Sequence, residues 1–290
     1  MSWDFEHVAG PFDFTEGPAW DGEAVIFTDI PNSRIMRYHP VSRECTEFRR
    51  DTNEANGLMF DASGELYACE GGGRRMVRYN ADGTTTVLAD SFEGKRLNSP
   101  NDLAFDAEGR IWFTDPRYGD KIDDLELDHQ SVFRLDPQAA GTWEITRVTF
   151  DTTKPNGILI SPDQQWLYIA QSAHGADPRE LRAYPINDDG TVGMYEVCHN
   201  FYPHRAIDGM CFDTEGNIIA TAGANASGPG PMIYVFAPSG RVLETHPMPA
   251  DRPTNCTFGD PDLQTLYVTA SGSLFRARTD RKGHLVYPAA

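Results

Sequence analysis

The sequence predicts an all-β protein, a six-bladed β-propeller with four antiparallel strands per blade, and three observations carry that reading. Turn-forming residues are spread along all 290 positions, with 26 Gly and 20 Pro, and no long stretch shows a 3.6-residue apolar period. Short, nearly continuous apolar runs recur between Asp/Gly turns. Above all, one phrase occurs six times: a polar residue, usually followed by Gly, then a short apolar strand, an Asp/Gly turn and a second apolar strand.

The copies begin at Glu16, Asn56, Asn101, Asn156, Asp208 and Thr254. Typical wordings are Asn56-Gly-Leu-Met-Phe-Asp-Ala-Ser-Gly-Glu-Leu-Tyr, Asn101-Asp-Leu-Ala-Phe-Asp-Ala-Glu-Gly-Arg-Ile-Trp and Asp208-Gly-Met-Cys-Phe-Asp-Thr-Glu-Gly-Asn-Ile-Ile. Successive starts lie 40, 45, 55, 52 and 46 residues apart, the period of a four-stranded propeller blade. Each copy supplies an inner strand and a second strand. In the third copy the second strand is expected at Ile111–Thr114, the third at Val132–Leu135 and the outer one at Thr142–Thr149. A ring of blades must close against edge exposure, and Trp3–Val8, which precedes the first copy, is expected to lend a strand to the last blade. Residues 119–130 form an acidic insertion in the third blade, read as a loop over one face. No linker or low-complexity tract divides the chain, so residues 1–290 are read as a single domain.

Composition narrows the partner. Lys and Arg number 25 against 43 Asp and Glu, a formal charge of −18, which excludes an extended nucleic-acid or anionic-membrane surface and leaves a small molecule or a cation. Hydrophobic residues at 40% and aromatics at 11% supply a core that a disordered chain lacks. No basic segment leads into an apolar stretch at the N-terminus, and no apolar run reaches membrane-spanning length, so a cytoplasmic location is expected. Cys45, Cys69, Cys198, Cys211 and Cys256 are odd in number and form no C-x-x-C pair, which fits reduced thiols packed in strands.

The inner strands of a propeller line its central channel, so one register of six repeats converges at one end. Here that register reads Glu16, Asn56, Asn101, Asn156, Asp208 and Thr254, all oxygen-bearing. A single Asn-Gly is an ordinary turn dipeptide; six copies in phase form a constellation. Polar groups gathered in a channel need a common partner. Two carboxylates with amide carbonyls and no sulfur suit a hard divalent cation: Ca²⁺ first, with Mg²⁺, Mn²⁺ or Zn²⁺ as alternatives.

At these residues the chain resembles the gluconolactonase, or senescence marker protein/regucalcin-like, family and more distantly the diisopropyl fluorophosphatase type of propeller. The segments that carry the likeness are Phe14-Thr-Glu-Gly-Pro-Ala-Trp, Arg96-Leu-Asn-Ser-Pro-Asn-Asp-Leu, Ile111-Trp-Phe-Thr-Asp-Pro-Arg-Tyr-Gly, Pro155-Asn-Gly-Ile and Ile207-Asp-Gly-Met. The resemblance covers essentially the whole chain. It implies one catalytic divalent cation at the channel mouth, bound by Glu16, Asn156 and Asp208, with Asn101 as a further ligand or substrate contact, and it implies hydrolysis of a small sugar lactone.

Chemistry divides the labour among these residues. A divalent ion polarises the lactone carbonyl. Asp208 is the base placed to take a proton from the attacking water, with Glu16 a pure ligand; direct nucleophilic attack by Asp208 is the competing mechanism. Arg96 and Asn98 stand a few residues before Asn101 and are read as a substrate-orienting pair. Arg117 and Tyr118 follow a second strand at its channel end, and His129, His174 and His204 are further candidates for substrate contact. The alternatives from other classes are a non-catalytic calcium- or ligand-binding propeller, a phosphotriester hydrolase and a strictosidine synthase-like enzyme.

Overall fold

Each blade is built on a four-stranded antiparallel sheet whose burial declines from the second strand to the outer one. In the first blade the second strand, Val25–Asp29, is buried throughout, the third, Arg34–Tyr38, is buried at Ile35, Met36 and Tyr38, and the outer one, Cys45–Arg50, alternates half-buried and exposed. The continuous apolar runs of the sequence are therefore the strands covered on both faces by neighbouring blades, and the alternating runs are the rim. The molecule is a computed structural model in which residues 3–118, 123–173, 175 and 177–288 are described.

Six blades are present, with inner strands Thr15–Trp20, Ala55–Phe60, Leu103–Phe105, Pro155–Ile160, Ile207–Asp213 and Pro253–Gly259. Among the described residues helix is confined to two 3-10 turns, Ile30–Asn32 and Ala139–Gly141, and none is long and apolar enough to cross a membrane. The third blade shows the expected strands at Ile111–Asp115, Ser131–Pro137 and Trp143–Arg147. After the inner strand, the Phe-Asp of the phrase turns the chain: the carboxylates of Asp61, Asp106 and Asp213 accept backbone N–H groups two and four residues on. This is the reason Asp rather than Glu stands there.

The N-terminus closes the ring. Glu6–Ala9 pairs antiparallel with Ser273–Arg278, placing Glu6 opposite Arg276 and His7 opposite Phe275, and Glu6 and Arg276 form a 2.8 Å ion pair. The paired segment starts three residues later than Trp3; Trp3 itself is buried and stacks on His246 at 3.9 Å. Thr254 Oγ1 donates to the Thr15 carbonyl at 2.8 Å, tying the last blade to the first.

Two additions were not expected. Ser91–Phe92 and Lys95–Arg96 form a small hairpin outside the blades. More consequentially, Gly283–His284 adds a fifth strand to the fifth blade, on the channel side of the inner strand, opposite Phe212 and Asp213. The chain then reaches the second blade, where the Tyr287 ring packs 5.8 Å from Phe60 and against Gly64. Cys69, Cys211 and Cys256 are buried as free thiols.

Candidate active site

The repeated phrase is a bulge rather than a turn. In five blades the inner strand slips register there: between Glu16 and Ala19, Ala55 and Leu58, Pro155 and Ile158, Ile207 and Met210, and Pro253 and Asn255. In the third blade the regular strand begins only at Leu103, after Asn101 and Asp102. A bulge interrupts the ladder and re-aims a side chain.

The glycine of the phrase lets the next blade approach. Gly57 N–H donates to the Asn101 carbonyl at 2.8 Å, and a Cβ at Gly57 would stand 2.7 Å from that oxygen. A Cβ at Gly17 would overlap the Asn56 carbonyl, and one at Gly157 the Asp208 carbonyl. At Gly17, φ is +50°, a second reason for glycine. The first, second and fourth blades thus seat the first residue of the next phrase.

Glu16, Asn156, Asp208 and Tyr118 come together at this end of the channel. Asn156 Nδ2 donates to Asp208 Oδ1 at 2.6 Å and to the Tyr118 hydroxyl at 2.9 Å. Glu16 is buried, and its Oε2 accepts the Gly17 N–H at 2.7 Å. Burial first, then the negative charges of Asp208 and Asp102, hold the Glu16 carboxyl well above its usual range. Burial likewise raises the Tyr118 phenol, with Asp208 adding to the effect. The Lys154 ammonium lies 5.0 Å over the Tyr118 ring.

Three members of this group were not singled out in the sequence. Asp102 and Asn255 occupy the glycine place in their copies of the phrase, so their side chains stand one step further along the channel. Asn255 Nδ2 donates to Asp102 Oδ2 at 3.3 Å, and desolvation pushes the Asp102 carboxyl up to about 7. Arg205 precedes Asp208 by three residues and pairs with its Oδ2. The signal for the first two was legible: they are the copies in which the glycine is replaced by a residue with a polar side chain.

The other sequence candidates are placed differently. Asn101 N–H donates to the Thr114 carbonyl at 2.9 Å, and the side chain is half-buried. Thr254 turns away, its hydroxyl bonded to the Thr15 and Thr269 carbonyls. Arg96 sits in the exposed hairpin and pairs with Glu126, not with the site carboxylates. Asn98 is fully buried, and its amide donates to the carbonyls of Asp115 at 3.0 Å and His129 at 3.1 Å, a brace between two segments. His129 Nδ1 lies 2.9 Å from Ser131 Oγ, and burial lowers its basicity. Arg117 pairs with Asp124 at 2.7 Å. The His204 carbonyl accepts from Arg179 at 3.0 Å. His174 and residues 119–122 of the acidic insertion lie outside the described residues.

Behind Asp102 and Asn255 a cavity of about 510 Å³ follows the axis, lined by Phe60, Phe105, Ile158 and Phe212 and reaching the C-terminal segment His284–Tyr287. A largely apolar channel therefore backs the polar layer of the site.

Among the described residues no three His, Cys, Asp or Glu side chains gather closely enough to hold an ion by themselves, so any cation site here must use amide oxygen as well. The donor chemistry fits one. Asp208 raises the proton affinity of both Glu16 and Asp102, and Asp102 that of Glu16, which marks negative charge in excess of what the Arg205 guanidinium offsets. Oxygen ligands with surplus negative charge suit a hard divalent ion.

Residues 14–272 match the model of the SMP-30/gluconolactonase/LRE-like region. A gluconolactonase of Zymomonas mobilis is 30% identical over 98% of this chain and 83% of its own length. A gluconolactonase of Xanthomonas campestris whose structure is solved is 31% identical, superposes with a TM-score of 0.83, and is matched over 95% of this chain and 89% of its own. The calcium-binding protein regucalcin of Agrobacterium tumefaciens, 19% identical over 98% of this chain and 96% of its own, shares the fold with a TM-score of 0.77. The chain belongs to the SMP-30/gluconolactonase/LRE-like family.

Proposed function

We propose that this protein is a divalent-cation-dependent hydrolase of a small lactone, a sugar lactone such as gluconolactone first, yielding the open hydroxy acid. One observation carries the reading. A carboxylate, Asp208, is held by Asn156 and Arg205 beside a second, buried carboxylate, Glu16, at the end of the channel. Kinship with gluconolactonases supports the same substrate class.

Glu16, Asn156 and Asp208 would hold the cation, with Asn101 as a further ligand or substrate contact, and Ca²⁺ is the first candidate. When bound, it supplies electrophilic polarisation of the lactone carbonyl and charge stabilisation for the oxyanion that forms there. Asp208 accepts a proton from the water that attacks the carbonyl carbon and returns it to the ring oxygen as the acyl–oxygen bond breaks. Asn156 orients Asp208 through the 2.6 Å bond and, in the same amide, fixes the Tyr118 hydroxyl. Tyr118, whose deprotonation burial opposes, stays a neutral donor for a substrate hydroxyl.

The test is proton release from a panel of aldonolactones and simple γ- and δ-lactones, run on chelated protein and again with single cations restored. Turnover lost on chelation and recovered with one cation is expected. A protein that binds the cation and opens no lactone would be a binding propeller instead.

A further inference from the structure

Arg205 is a residue of the site to which the hydrolysis above assigns no step of its own. Its guanidinium reaches three acceptors on two blades: the Asp208 carboxylate, the Gly223 carbonyl at 3.1 Å and the Pro253 carbonyl at 3.0 Å. The Gly223 N–H donates back to the Arg205 carbonyl at 3.2 Å, so both ends of the residue are anchored. Side-chain exposure is 22% for Arg205 and 15% for Asp208, so the pair is shielded from most of the water and salt that weaken surface ion pairs.

We propose that Arg205 is a positioning residue that trades cation affinity for turnover, fixing the Asp208 carboxylate for proton transfer while its permanent charge, in contact with a ligand, repels the divalent ion. This rests on the hydrolase reading above. The fork geometry, two blade carbonyls plus one carboxylate, leaves the Asp208 plane little freedom, the preorganisation that a general base needs. The same charge sits beside the carboxylates Glu16, Asp102 and Asp208, and offsets part of the field that attracts a dication. Loss of Arg205 does not release Asp208 altogether, because Asn156 Nδ2 still holds the other carboxylate oxygen at 2.6 Å. The two effects therefore separate, with affinity rising and turnover falling.

The experiment compares wild type, Arg205→Gln and Arg205→Lys by calorimetric titration of chelated protein with Ca²⁺ and with Mn²⁺, and by kcat on the best lactone at saturating cation. In Arg205→Gln the cation Kd is expected to fall about tenfold or more while kcat also drops about tenfold or more. Arg205→Lys keeps the charge and loses the fork, so its Kd is expected to stay within about twofold of wild type with kcat still lowered. A purely structural Arg205 would weaken binding and turnover together, and an unchanged or larger Kd in Arg205→Gln overturns the inference. Should Arg205→Gln fail to fold, Arg205→Lys decides, and a wild-type kcat there overturns it. Wild-type protein that binds neither cation would instead overturn the metal dependence on which the inference stands.

Discussion

Gly157 stands so close to Asp208 that a Cβ on it would overlap the Asp208 carbonyl oxygen and crowd the Cα of Gly209. The glycine of the fourth blade is thus part of the seat of the proposed base in the fifth. Both groups in contact are backbone, so neither can swing aside. Gly157→Ala is expected to cost about 1–3 kcal/mol through overpacking and to lower kcat, because the displaced segment carries Asp208. Denaturant melts and lactone kinetics check both effects; unchanged stability would mean that the blades part without cost.

Asp102 gives a pH dependence whose sign is fixed. Its carboxyl is pushed up to about 7 in the folded protein from an ordinary 3.8, chiefly by desolvation, so between those values the folded chain keeps a proton that the unfolded chain has released. Stability from this group is fully present below about pH 4, falls as pH rises, and is lost above about pH 7. One unit of such a shift corresponds to about 1.4 kcal/mol. Asp102→Asn is therefore expected to melt higher than wild type at pH 8 in chelator and at the same temperature at pH 4. Equal melting temperatures at both values would contradict the account.

The C-terminal segment braces the channel from the face opposite Asp208. Gly283 packs where any Cβ would overlap Phe258 of the sixth blade, His284 pairs with Phe212 of the fifth, and Tyr287 lies on Phe60 and Gly64 of the second. Truncation after Lys282 removes three half-buried apolar side chains, Leu285, Val286 and Tyr287, and is expected to destabilise the ring by about 2–4 kcal/mol without abolishing turnover. Thermal melts and residual kcat decide; an unchanged melting temperature would show that the brace carries no load.

The six in-phase copies made the blades readable, because burial between neighbouring blades writes the same apolar pattern into each second strand. Closure by the N-terminus was readable for a topological reason: an unpaired edge demanded a strand. The brace at Gly283–His284 was not, since two residues are too few for any periodicity. Within the site, the register put forward six first-position residues, and the family resemblance singled out Glu16, Asn156 and Asp208 among them. Asp102 and Asn255 are less legible because they stand at the second position of the phrase, normally Gly, where a side chain has room only if the next blade yields it. Proximity in sequence to Asn101 does not bring Arg96 and Asn98 to the carboxylates: a hairpin carries Arg96 outward to Glu126, and the Asn98 amide is spent on the carbonyls of Asp115 and His129. Thr254 shares the register but spends its hydroxyl on backbone carbonyls.

The central claim, that Asp208 moves the proton in lactone opening, is tested most directly by kcat of Asp208→Asn on the best lactone with cation occupancy verified by elemental analysis. The substitution keeps shape and an oxygen ligand and removes the base. The account expects a folded, cation-loaded protein slower by about 10²–10⁴-fold. A loaded Asp208→Asn protein that kept most of the wild-type rate would contradict it and move the search for the base to the neighbouring carboxylates Glu16 and Asp102.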